Sequence, residues 1–123
     1  MTAAVLALAL LAALAVFQGL LVAGFPLGRF AWGGQSEVLP VGLRIVSAVS
    51  IALYAAFAVL VLQAGGRLAL LPDGFVGVAI WVLTGFFALG IVMNAISKSR
   101  PERLVMTPVV TVLAGACLVL ALG

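Results

Sequence analysis

The stretch Asn94-Ala-Ile-Ser-Lys-Ser-Arg-Pro-Glu-Arg103 decides the fold of this chain of 123 residues. It gathers Lys98, Arg100 and Arg103, three of the six basic residues, together with Glu102, one of the three acids. Charge-free sequence leads into it from Gly74 to Ser97 and leaves it from Leu104 to Gly123. Within it, Ser99-Arg100-Pro101-Glu102 fits the S-x-x-E capping box, in which the serine accepts from a free amide of the first turn and the acid reaches back. A proline there costs nothing, because its missing N–H would have had no partner. The spacing predicts a helix that starts at about Arg100, directly after another has ended. Two long apolar segments are thereby joined by a short basic turn.

Two more charge-free windows lie upstream, Met1–Gly28 and Ile45–Gly66. Each of the four reaches the ~20 residues that cross a ~30 Å hydrocarbon layer at ~1.5 Å rise per residue. The predicted spans are residues 3–25, 43–64, 75–96 and 103–122. Composition supports the same reading: 67% of residues are hydrophobic, 7% are charged and the mean hydropathy is +1.45. A soluble domain carries roughly a quarter charged residues, so this chain cannot solvate a surface in water. An apolar exterior belongs in a bilayer. The expectation is an all-α membrane protein, one domain over residues 1–123, folded as a four-transmembrane-helix up-down-up-down bundle. The first window lacks a basic leader and exceeds a signal-peptide core in length, which predicts a retained helix.

Counting basic residues by side gives a direction. With four spans, the first and third loops share a side and carry Arg29, Arg44, Lys98, Arg100 and Arg103, against Arg67 alone opposite. The positive-inside bias then predicts cytoplasmic loops one and three, with both termini outside the inner (plasma) membrane. The net charge of +3 is accounted for by anionic headgroups rather than nucleic acid, which would need a basic stripe on a polar surface.

Loop one, Pro26–Gly42, exceeds the usual ~2–8 residues between helices. Its prolines and glycines break regular structure, while Phe30 and Trp32 suit the interface. It reads as a structured flap on the headgroup layer. Loop two, Gly65–Asp73, reads as a tight hairpin. Within the spans, Thr107, Thr111 and Gly115 form a small-residue stripe, as do Ala15, Gly19 and Ala23. Ser47, Ser50 and Tyr54 share a face on the second helix, and Gly90, Asn94 and Ser97 on the third. All four faces are expected to point into the bundle. Pro108 falls inside the fourth helix and predicts a kink near Met106–Thr107.

Candidate site residues form two sets. Gln18, Tyr54, Thr84 and Asn94 are polar groups within the spans. They serve either as interhelical hydrogen-bonding partners or as the polar points of a small pocket. At the basic end, Arg29, Trp32, Gln35, Glu37, Arg44, Ser97, Lys98, Arg100, Glu102 and Arg103 gather around Asn94. There Glu37 and Glu102 are expected to pair with arginines, locking loop one to loop three. The alternative is a phosphate or anion site assisted by the amino end of the fourth helix. No catalytic residue is assigned: there is no His in the chain, and neither Glu37 nor Glu102 has a nucleophile or ligand partner at useful spacing. One cysteine and no histidine predict no metal and no cofactor. No ionisable group lies deep in a span, as charge-coupled transport would need. The small multidrug exporters have four helices in similar length, but depend on a first-helix glutamate where this chain offers Gln18.

Gly24-Phe-Pro-Leu-Gly-Arg-Phe-Ala-Trp-Gly-Gly34, then Leu39-Pro40 and Arg44, together with Asn94-x-x-Ser-x-Ser-Arg-Pro-Glu-Arg103, resemble small four-helix bacterial integral membrane proteins of high-GC genomes. The resemblance covers the whole chain and carries no activity with it. The leading expectation is therefore a protein that binds a lipid or small apolar ligand, or an accessory membrane protein with a partner helix. An uncoupled small-molecule transporter or channel acting as a homodimer is the second expectation, and a small membrane enzyme the third.

Overall fold

The computed structural model describes residues 2–31, 34, 36–66 and 69–123. Four helices fill most of the chain: α1 (Thr2–Val22), α2 (Val41–Ala64), α3 (Asp73–Ala95) and α4 (Arg100–Leu122). A 3-10 turn, Gly28–Phe30, lies in loop one, and no strand occurs among the described residues. Each helix is long and apolar enough to cross a membrane, which makes this a multi-pass, all-α membrane protein. The helices alternate in direction as an up-down-up-down bundle. α1 packs on α2, α3 on α4, and the two hairpins join chiefly through α1 and α4, leaving the α2–α3 seam thinly packed.

The helix ends follow local chemistry. α1 stops at Val22, short of Phe25, because Gly24 turns left-handed at φ 94. The amide of Phe25 then bonds Leu20 O and that of Gly24 bonds Leu21 O, a Schellman closure. α4 starts at Arg100 with Ser99 as its N-cap residue and Pro101 in the first turn, as the S-x-x-E pattern predicts. The capping box itself does not close. Ser99 Oγ donates across to Arg29 O in loop one, while Ser99 N–H bonds Ser97 Oγ at 3.2 Å. A loop–loop contact has taken the hydroxyl that the helix would have used. α4 remains helical through Pro108.

The buried faces repeat at alternating spacings of three and four residues, the seam of left-handed helix packing. On α1 they are Ala4, Ala7, Leu11, Gln18 and Leu21; on α3, Val76, Ile80, Leu83 and Phe87, continued by Ser97. Ser47 is fully buried on α2, and the Ser47–Ser50–Tyr54 and Gly90–Asn94–Ser97 faces point inward as expected. The stripe of Thr107, Thr111 and Gly115 does not: Thr111 and Gly115 are exposed, and Leu113, Ala114, Ala116 and Cys117 are buried instead. A strict four-residue step advances about 400° and so drifts about 40° each time, carrying the stripe off the face. Ala23 is likewise exposed beyond the end of α1.

Two separate cores result. The larger lies at the end shared by the termini and loop two, where Ala7, Leu11, Val61, Ile80, Leu113 and Cys117 interlock. The smaller lies under loop one, where Leu21, Ala31 and Leu39 pack with Phe17, Leu27 and Leu43. Loop one is a folded cap over that end of the bundle. Gly28 N–H bonds Glu37 O at 2.7 Å across the loop. A side chain at Gly28 would strike Ser36 O at 1.8 Å, so glycine is obligatory. Loop two is tied by the Gln63 side chain, which donates to Leu71 O and accepts from Leu71 N–H.

Candidate functional site

A crevice of about 660 Å³ occupies the gap between the two cores. Every structured element contributes: Leu14, Phe17 and Gln18 from α1; Phe30 and Ala31 from loop one; Leu43 and Tyr54 from α2. Phe86, Phe87, Leu89, Gly90, Met93, Asn94 and Ser97 come from α3 and its end, and Glu102, Met106 and Val110 from α4. Its volume falls within the about 300–1,000 Å³ of sites that take small organic molecules. Phe86, Leu89 and Met93 line it and are also exposed on the bundle's surface, so it opens sideways along the α2–α3 seam, where lipid would lie.

The roof is an aromatic layer. Phe57 of α2 meets Phe86 and Phe87 of α3 with ring centroids 5.7 and 5.9 Å apart, and Tyr54 stands 6.2 Å from Phe57. These tilted and edge-on contacts are what bridges the seam. Above them a second, wholly apolar recess of about 380 Å³ continues between α2 and α3, lined by Leu60, Phe75, Val78 and Val82 among others. The polar lining ends at the aromatic layer, and beyond it the bundle axis is filled by the larger core.

Five of the candidate residues meet in this crevice: Gln18, Tyr54, Asn94, Ser97 and Glu102. Gln18 is only 7% exposed and lines the crevice with Tyr54, while its Oε1 has no partner among the described residues. Asn94 Nδ2 donates to Gly90 O, one turn back. Ser97 and Glu102 are buried at the loop end of the crevice. Thr84 turns its hydroxyl onto Ile80 O of its own helix and does not take part.

The arginines are used differently from the expected lock. Arg44 donates from Nε and Nη2 to Val22 O at 2.9 and 2.6 Å, capping the last turn of α1. Arg103 donates to Ser97 O at 2.9 Å, just past the end of α3. Both cations thus sit at helix carboxyl ends, where unpaired carbonyls and the helix dipole favour them. Arg29 lies over the Phe30 ring, 5.2 Å from its centroid. The Glu37 carboxylate is exposed with no ion pair among the described residues, and Arg100 and Lys98 are exposed. Loop one is pinned to loop three by Ser99 on Arg29 O, with Gly34 packed so tightly that a side chain there would touch Ser99. Arg44 and Arg103 thus take backbone carbonyls as hydrogen-bond partners. Trp32 and Gln35, named from the sequence, lie outside the described residues.

Sequence reasoning missed the walls. Phe86, Phe87, Leu89, Met93 and Met106 are apolar residues among many, and nothing in their type separates crevice from lipid face. The one available signal was Phe86-Phe87, an aromatic pair one turn before the polar face of α3.

No family model, no curated protein and no solved structure matches this chain.

Proposed function

We propose that this protein holds one lipid-like or similarly apolar small molecule in the α2–α3 crevice, as a ligand-binding or accessory protein of the bacterial inner membrane. The observation that carries this reading is a lateral opening leading to Gln18, a buried side chain with an unpartnered oxygen. The apolar walls of the crevice carry the polar side chains of Gln18, Tyr54, Asn94 and Ser97, which suits a molecule with both a chain and a polar group. The basic residues gather at the loop one–loop three end, which favours that end as cytoplasmic. Filling of the axis above the aromatic layer weighs against a conduit, the second reading, in this conformation.

Native mass spectrometry of the intact chain from mild detergent tests the proposal. The expected result is a protein carrying a defined extra mass that Met106→Trp, which fills the crevice from α4, abolishes. A folded protein without added mass would count against it. A dimer with no added mass would favour a transport or scaffold assembly.

A further inference from the structure

We infer that the joint between loop one and loop three binds the headgroup of an anionic phospholipid across Arg29, Lys98 and Arg100, and that the bound lipid holds the cap closed. This site is separate from the crevice and does not depend on what the crevice holds. Ser99 builds it. Its hydroxyl donates to Arg29 O, and a Cβ on Gly34 would lie 2.5 Å from Ser99 Cβ and 3.3 Å from Arg29 O. The two loops therefore touch at the level of the backbone. Lys98 and Arg100 flank Ser99 in the chain, so the contact sets Arg29 of loop one beside a pair of cations from loop three.

All three side chains are exposed, and none makes an ion pair among the described residues. Arg44 and Arg103, by contrast, are committed to Val22 O and Ser97 O. Five bases share this end with two acids, Glu37 and Glu102, and Glu102 is buried. Cations collected around one hydrogen bond repel across the joint and work against its closure. An anion that touches both loops turns that repulsion into a bridge, and guanidinium groups suit phosphate because they donate in pairs.

The apolar neighbours select a lipid over a soluble anion. Phe25, Val38 and Val41 on the loop one side and Ile96 on the loop three side are each half or more exposed. In a chain whose helices cross the membrane, such side chains lie against acyl chains, and the basic residues among them sit at headgroup depth. Arg29 is also held over Phe30, its guanidinium carbon 5.2 Å from the ring centroid. Phe30 and Ala31 follow it in sequence and line the crevice, so a headgroup that fixes Arg29 fixes that wall of the cavity.

The test places the full chain in nanodiscs of phosphatidylcholine, alone or mixed with phosphatidylglycerol. Alkylation of Ala31→Cys by uncharged N-ethylmaleimide is followed in a Cys117→Ala background. Phosphatidylglycerol is expected to slow it at least about fivefold, the size of one basic residue's attraction to an anionic surface. Lys98→Gln combined with Arg100→Gln should bring the two rates to within about twofold, and Arg29→Gln, on the other loop, should do the same. Phosphatidylglycerol retained in native mass spectrometry should fall in parallel, yet persist in Met106→Trp, which fills only the crevice. Slowing that survives in the glutamine variants is an effect of surface potential on the thiol and overturns the inference. Inorganic phosphate that slows alkylation equally in phosphatidylcholine discs overturns the choice of a lipid. Equal rates in the two kinds of disc overturn the site itself and leave the crevice reading standing.

Discussion

Replacing Gly28 by alanine should unlatch the loop one cap without unfolding the bundle. A Cβ at this position lies 1.8 Å from Ser36 O and 2.7 Å from Glu37 O. Both neighbours are backbone, so no change of rotamer relieves the overlap. Restoring a tolerable 3.0 Å requires the two arms of the loop to part by 3.0 minus 1.8, or about 1.2 Å. The Gly28–Glu37 hydrogen bond, 2.7 Å now, would stretch to about 3.9 Å and be lost. That bond contributes about 1 kcal/mol, and partial exposure of Leu39 adds about 1–2 kcal/mol. A cost of about 2–3 kcal/mol multiplies the open population by about 30-fold to 150-fold. Ala31, buried under the cap and lining the crevice, reports it. In a Cys117→Ala background, Ala31→Cys should react slowly with maleimide. Adding Gly28→Ala should speed alkylation by about thirtyfold or more, with the thermal transition of the helices nearly unmoved. Rates equal to within about twofold would refute the claim that this loop is a closed cap.

Three other outcomes follow from the packing. Arg44→Ala should lower stability by about 1.5–3 kcal/mol, since two charged donations to Val22 O are lost, and Arg44→Lys should recover part of it; thermal unfolding in detergent decides. Phe57→Ala should cost about 3 kcal/mol and join the two recesses on either side of the aromatic layer, seen as lower thermal stability and a longer probe chain accommodated. Pro108→Ala restores the N–H that Leu104 O lacks and should raise the unfolding temperature, because an interior proline costs about 3 kcal/mol; a fall would mean that this interruption is used in packing.

What the sequence determined by itself is the crossing of the membrane. Runs of about 20 uncharged residues have no other stable solvent, and the charges that cannot enter hydrocarbon mark where each crossing ends. The serines, Tyr54 and Asn94 also told which faces of α2 and α3 turn inward, because polar groups avoid lipid. Ser99-Arg100-Pro101-Glu102 set the start of α4 to the residue. The tertiary structure alone decided which faces of α1 and α4 are buried. In water that choice is written as a contrast between apolar and polar; in lipid the outside is as apolar as the inside, and shape replaces polarity as the criterion. The same reason hid the crevice, which is a gap left where two cores fail to meet rather than a pattern of residues. It was also the fold that gave Ser99 and Arg44 backbone carbonyls as partners. Those carbonyls became available only when loop one closed over the bundle and the end of α1 came beside the start of α2.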